Sequence, residues 1–354
     1  MKNIIYSKYK MFHYPKKIDS LNTDEILPPL QVRIKPTNAC NHDCWYCAYK
    51  ASNLQLGKDM IVKDYIPKDK MFEIIDDLDS MGVKSITFSG GGEPLSYRYM
   101  TETLEKLSKT NIKFASLTNG SKLNGDIANL FSKFGTWLRV SIDGFDDESY
   151  AKYRNVKVGE FSKVIKNMSE FSKLGGGCML GVSFIIDDKN YSHIYDVLHL
   201  FKDIGVRSVK LSPCIVSNDA AKNNEYHSKI FDNVQKEIYK SMNLTDGNFE
   251  IYNSYHLLDT KFKKDYDWCP MLQILMVIGA DQNVYACQDK AYNLDSGLLF
   301  SIKNRSFKEA WSADKSSFYK IKPCKVCNHH CVSNEKNKIL LEYLKDDKDY
   351  MEFV

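Results

Sequence analysis

The chain has 354 residues, 43% of them hydrophobic, which is more than one core usually serves, so two domains are expected. Its 49 basic and 45 acidic residues are interspersed, and the net charge of +4 leaves no basic stripe of the kind nucleic acid demands. The most apolar stretch, Met271 to Ala280, is far short of the roughly 18 residues of a membrane span, and Met1 to Lys8 lacks the apolar core of a secretory signal. Ten cysteines in such a chain point to a reducing compartment, the cytoplasm, and to metal ligation rather than disulfides.

Residues 1–29 carry Pro15, Pro28 and Pro29 without a clear period and read as an extension packed on the outside, too short for a separate peptide-recognition domain. From Leu30 to about residue 218, short apolar runs alternate with helical patterns. Val32 and Ile34 mark a first strand, Ser85 to Phe88 a second, and Phe114 to Leu117, Leu138 to Ile142, Met179 to Ile186 and Ser208 to Leu211 four more. Between the first two, Met71, Ile74, Ile75, Leu78 and Met81 repeat with helical spacing, with Pro67 before and Gly82 after. Strand-helix alternation of this kind implies an α/β fold with parallel strands, here a partial (β/α)6 barrel, whose chemistry belongs in loops at the C-terminal ends of the strands.

The first strand runs straight into Cys40-Asn41-His42-Asp43-Cys44-Trp45-Tyr46-Cys47. Thiolates spaced C-x3-C-x2-C can wrap three corners of a four-iron cluster and leave one iron open. Zinc held with a fourth ligand such as His42, or plain reduced thiols, are the other readings. The second strand ends in Ser89-Gly90-Gly91-Gly92-Glu93-Pro94, where glycines admit close backbone approach and Glu93 can accept from an ammonium group.

Together these two stretches resemble the signature of the radical S-adenosylmethionine (SAM) superfamily, with Tyr46 as its aromatic residue. The resemblance implies a [4Fe-4S] cluster on Cys40, Cys44 and Cys47, SAM chelated at the open iron, and the methionine amino group of SAM held by Gly91, Gly92 and Glu93. It also implies Ser141 and Arg154 at the SAM carboxylate or ribose, although Arg154 also fits the surface of a helix at Tyr150 to Tyr153. Val182 and the Leu211-Ser212-Pro213 turn fit adenine contacts by position only, and core packing fits them at least as well. Thr118-Asn119-Gly120 and Ser141-Ile142-Asp143-Gly144 read as ordinary strand-ending turns, and Cys178 and Cys214 as buried free thiols.

Residues 219–264 form a polar linking region with a helix over Tyr226 to Met242 and a short strand at Phe249 to Tyr252. Beyond it, residues 265–354 hold the second cysteine cluster. Cys269 and Cys287 flank two strands joined by a turn at Gly279 to Asn283, so both ends of a hairpin can reach one metal site. A helix starts at Phe307, and Cys324-Lys325-Val326-Cys327-Asn328-His329-His330-Cys331 follows. This part resembles the small α+β auxiliary-cluster domain called Twitch, the short form of SPASM. The resemblance implies one further [4Fe-4S] cluster on Cys269, Cys287, Cys324 and Cys327. Gln282 stands where relatives have a turn glycine, and Cys331 is additional, either replacing a ligand or remaining a free thiol. Zinc remains the alternative occupant.

The function this implies is reductive SAM cleavage, hydrogen abstraction by a 5′-deoxyadenosyl radical, and a two-electron oxidation of a small sugar- or cyclitol-like substrate, with a flavodoxin or ferredoxin as reductant. Asp289, two residues after Cys287, is a candidate base. Peptide modification is the competing enzymatic reading, and a non-catalytic iron-sulfur or zinc protein the reading from another class.

Overall fold

A computed structural model describes residues 6–54, 56–256, 262, 264–346 and 348–350 of the protein. The start of the extension at residues 1–5, positions 257–261 and 263 of the linking region, and residues 351–354 lie outside the described residues.

Six parallel strands carry the barrel: β1 (Gln31–Ile34), β2 (Ser85–Phe88), β3 (Lys113–Thr118), β4 (Trp137–Ile142), β5 (Met179–Ile186) and β6 (Ser208–Pro213). After the short α1 (Pro15–Asp19), the covering helices are α2 (Lys68–Ser80), α3 (Met100–Leu107), α4 (Gly125–Phe134), α5 (Asp147–Arg154), α6 (Glu160–Lys173) and α7 (Ile194–Asp203). Alternate strand residues explain the layering. Val32, Ile34, Ile86, Phe88, Val140 and Val182 are fully buried and pack in one cluster with Met71, Ile74 and Leu78 of α2. The intervening positions, among them Gln31, Arg33, Thr87, Arg139, Ser141, Ser183 and Lys210, face the concave side and make it polar. Val182 thus belongs to the core between sheet and helices.

The barrel sheet extends beyond its six units at both edges. β7 (Glu250–Asn253), the strand expected in the linking region, pairs parallel with β6. β8 (Leu275–Ile278) pairs parallel with β1, placing Val277 beside Arg33, and β9 (Asn283–Tyr285) and β10 (Leu298–Ser301) follow antiparallel. The expected hairpin is therefore an added edge of the barrel. Met276, Ile278, Val284 and Trp311 lie in the same core as Val32 and Ile34, so this part of the chain packs into the barrel's main core.

Two local expectations differ from what is observed. The single helix over Tyr226 to Met242 is two helices, α8 (Ala220–Ser228) and α9 (Phe231–Ser241), with Asp219 capping the first. Cys269 does not end a strand, because a 3-10 turn (Pro270–Gln273) comes before β8. The extension packs through Met11, Ile18 and Leu21, around α1, on Met271, Ile274 and Leu340. A single Leu27 carbonyl accepts from both Lys17 Nζ at 2.7 Å and Trp311 Nε1 at 3.1 Å. The chain then ends with α10 (Phe307–Ser312), α11 (Pro323–Val326) and α12 (Asn334–Tyr343). Among the described residues no helix is long and apolar enough to cross a membrane.

The β8–β9 turn holds Gln282 at φ 62°, in the left-handed region that favours glycine. Its backbone is fixed there, since Gln282 N–H donates to Gly279 O at 3.0 Å and Ile302 N–H to Gln282 O at 2.9 Å. The steric cost for a non-glycine residue is about 1–2 kcal/mol, partly offset by the flexibility glycine would add to the unfolded chain. Gln282→Gly is expected to raise the thermal midpoint by roughly 1–2 °C in calorimetry. An unchanged or lowered midpoint would mean that the turn is not strained.

Candidate functional site

The cysteine loop leaves the C-terminal end of β1 and is stitched down from three sides. Asp43 N–H donates to Arg154 O at 2.9 Å and Trp45 N–H to Tyr153 O at 3.2 Å, so the last turn of α5 dictates the loop's path. From the end of β3, Asn119 Nδ2 donates to Asn41 Oδ1 at 2.9 Å, while Asn41 Nδ2 donates to Ser121 Oγ at 2.8 Å. From below, Gly92 N–H donates to Thr37 O at 3.1 Å and Glu93 N–H to Ala39 O at 2.9 Å. The glycines are required by this docking. A β-carbon on Gly92 would stand 2.0 Å from Ala39 O, and one on Gly91 2.1 Å from Asn38 Oδ1.

Glu93 is buried, with three hydrogen bonds to its carboxylate: Leu95 N–H at 3.0 Å, Thr118 Oγ1 at 2.5 Å and Asn119 N–H at 2.7 Å. Burial lifts its pKa above the ordinary carboxylate range against the pull of these donors. Arg154 is also buried, so it is not a surface residue of α5. Its Nε donates to Asp143 Oδ1 at 3.0 Å and its Nη2 to Ser141 O at 2.9 Å, and Tyr46 Oη donates to the other Asp143 oxygen. Ser141 and Arg154 therefore meet directly, with Asp143 as the hub. The sequence hid Asp143 and Asn119 inside what looked like ordinary turns, and Ser121 just beyond one of them.

Cys40, Cys44 and Cys47 are all half-buried, and the thiols of Cys40 and Cys44 each feel that of Cys47. Burial pushes the Cys44 thiol up to about 11. His42 turns towards α6, its Nε2 3.6 Å from Glu160 Oε1 and its ring edge-on to Tyr150. Burial and the Arg154 charge pull it down to about 4, so it is neutral at pH 7. Among the described residues no three Cys, His, Asp or Glu side chains are gathered tightly enough to grip a lone ion. A four-iron cluster spaces its thiolates across its own width, and three thiols carried on one short loop suit it.

The second cysteine group surrounds a hollow beside β1 and β8. Cys269, Cys287, Cys327 and Cys331 line it, together with Arg33, Lys264, Asp289 and Lys290. Cys324 lies elsewhere, exposed in a surface depression with Asp265, Asp267 and Trp268. A four-thiolate cluster carries net negative charge, and buried cations around the hollow match it. Asp289 faces into this space. Burial raises its pKa, while Arg33, Lys35, Lys264 and Lys290 draw it back. Nearby His329, 3.8 Å away, is pulled down to about 3 by burial and the two lysines, so it offers Asp289 no charge.

Lys35 joins the two regions. Fully buried at the end of β1, it donates from Nζ to Tyr49 Oη at 2.7 Å and Gly90 O at 2.6 Å. Tyr49 Oη in turn donates to Gln288 O at 2.8 Å. Residues two after Cys47 and one after Cys287 are thus in direct contact. Burial and Arg33 lower the Lys35 amine to about 7. Nothing in its sequence setting distinguishes it from the chain's other lysines.

Comparison with known proteins follows from this geometry. Residues 34–209 match the model of the Radical SAM superfamily. A nucleotide dehydratase of Lacinutrix mariniflava described as S-adenosylmethionine-dependent is 29% identical over 120 residues, 34% of this chain and 24% of that one, so the chain spans about a quarter of that relative's length. A cysteine-type anaerobic sulfatase-maturating enzyme of Clostridium novyi is 25% identical over 328 residues, 84% of this chain and 85% of its own. In fold, the chain is similar to Streptococcus suis SuiB bound to precursor peptide SuiA, with a TM-score of 0.61, 15% identity, and coverage of 89% of this chain and 72% of SuiB. A partial barrel with the cysteine loop at the end of β1, matched from Ile34 to Val209 by this family's model, places the chain in the radical SAM superfamily, whose members bind a [4Fe-4S] cluster and SAM.

Proposed function

We propose that the protein cleaves SAM reductively and uses the resulting radical to begin a two-electron oxidation, with a peptide side chain as the leading substrate class. Two cysteine sites bridged through Lys35, Tyr49 and Gln288 carry this reading. Cys40, Cys44 and Cys47 would hold the primary cluster, with Gly91, Gly92, Glu93, Ser141 and Arg154 forming the walls around SAM. The hollow lined by Cys269, Cys287 and Cys327 would hold an auxiliary cluster. When bound, these groups supply a 5′-deoxyadenosyl radical from SAM and an acceptor for the electron that the substrate radical gives up.

The chain's residues supply the remaining steps. Asp289, in the hollow beside Arg33, takes the proton lost as the substrate radical is oxidised. The sum balances: the substrate loses two hydrogens, one to deoxyadenosine and one as a proton, and one electron returns for the one spent on SAM. A reductant of the flavodoxin or ferredoxin class would start the cycle. The loops clasped over β1 exclude water from the radical.

Alignment along most of both chains with the sulfatase-maturating enzyme supports the peptide class. A small sugar- or cyclitol-like alcohol is the second reading. The polar concave face, on which Ser183 lies, favours it by offering a partner to a substrate hydroxyl. The same oxidation serves either substrate.

Two measurements test these assignments. Anaerobically reconstituted, dithionite-reduced protein should convert SAM to 5′-deoxyadenosine and methionine, and Cys44→Ala should reduce that to the uncatalysed background. Full retention of cleavage by the variant would remove the primary site from Cys40, Cys44 and Cys47. With candidate peptides and polyols supplied in deuterated form, the true substrate passes deuterium to deoxyadenosine. Asp289→Asn should keep that transfer while product formation falls by about 10²–10⁴-fold. Undiminished product would exclude Asp289 as the base.

A further inference from the structure

We propose that the auxiliary site is closed by Cys331, so that its four ligands are Cys269, Cys287, Cys327 and Cys331, with Cys324 outside the set. This rests on the reading of the hollow as a cluster site and departs from the C-x2-C pair at Cys324 and Cys327 that spacing alone suggests. Cys324 and Cys327 sit at the two ends of α11, a helix of a single turn, where residues three apart would normally share a face. Cys327 is not part of that turn. As its C-cap it leaves the helix at φ −104°, ψ 83°, and its side chain enters the hollow while Cys324 stays on the outer surface.

The backbone beyond Cys327 is held so that Cys331 faces the same space. Lys290 Nζ donates to the Val326 carbonyl just before Cys327, and Lys264 Nζ donates to the His329 carbonyl at 2.6 Å just after it. Both lysines also line the hollow, so the cations that suit an anionic cluster also shape the loop that would ligate it. Cys331 then leads into α12, whose Asn337 reaches across the site. Asn337 Nδ2 donates to Cys269 Sγ at 3.1 Å, and its Oδ1 accepts from Met271 N–H at 3.1 Å. Cys269 and Cys331 are thereby fixed from one helix. The backbone of Cys324 is pinned too, its N–H donating to Tyr266 O at 3.0 Å, which holds its side chain on the far side.

Four thiolates leave no open iron, so this site would exchange electrons without binding substrate through the metal. The first test needs no substitution. Anaerobic iodoacetamide treatment of reconstituted full-length protein, followed by peptide mass spectrometry, should modify Cys324 and spare Cys331. After the iron is chelated, both should react. Protection of Cys324 with free reaction of Cys331 would overturn the assignment.

The second test counts metal in a Cys40→Ala, Cys44→Ala, Cys47→Ala background, where iron and sulfide report only the auxiliary site. Adding Cys324→Ala should leave both contents unchanged, whereas Cys331→Ala or Cys331→Ser should remove most of them. The reverse pattern refutes the ligand set. A background protein that takes up zinc, or no iron in any variant, would instead refute the cluster reading of the hollow itself.

Discussion

The buried pair between Asp143 and Arg154 is the constraint on which the primary site depends. Asp143 ends β4, Arg154 ends α5, and Tyr46 lies between two of the cysteines, yet the three converge on one carboxylate. Removing one partner of such a pair typically costs about 3–5 kcal/mol, because the other charge is left buried without compensation. That penalty keeps α5 in place. The α5 backbone carbonyls then fix the cysteine loop through Asp43 and Trp45. The loop has little regular structure of its own, and its shape is imposed by neighbouring elements.

Charge links the two cysteine sites to their surroundings. In the free protein the thiols of Cys269 and Cys331 are pushed by burial up to about 12 and about 11, so they remain protonated at neutral pH. With Cys269 and Cys331 as ligands, as proposed, cluster assembly would expel those protons and loading would become more favourable as pH rises. Lys264, Lys290 and Arg33 would be costly neighbours for an empty hollow and become suitable ones once thiolates form.

Much of the barrel was legible because its signals are periodic. Met71, Ile74, Ile75 and Leu78 announced α2, and the strands of the six units fell close to their expected bounds. The cysteine motif and the glycine run were legible because their spacing is dictated by chemistry. What stayed hidden depends on contacts between distant segments. Asn41 meets Asn119 only after β1 and β3 take their places on either side of β2, and Tyr49, which accepts from Lys35, meets Gln288 only after the hairpin docks. Cys324 and Cys331 could not be ranked from spacing, because the choice turns on where a one-turn helix ends. The extension's helix escaped because its apolar residues face the C-terminal segment in no regular period.

The parallel pairing of β8 with β1 has a mechanical meaning. One strand of four residues, hydrogen-bonded to β2 on one side and β8 on the other, carries the primary loop at its end and neighbours the auxiliary hollow along its flank. Strand spacing in a sheet is about 4.8 Å and hardly stretches, so the sheet acts as a ruler between the two centres. A substrate that works with both centres, as proposed, would have to span a gap whose width is set before it arrives.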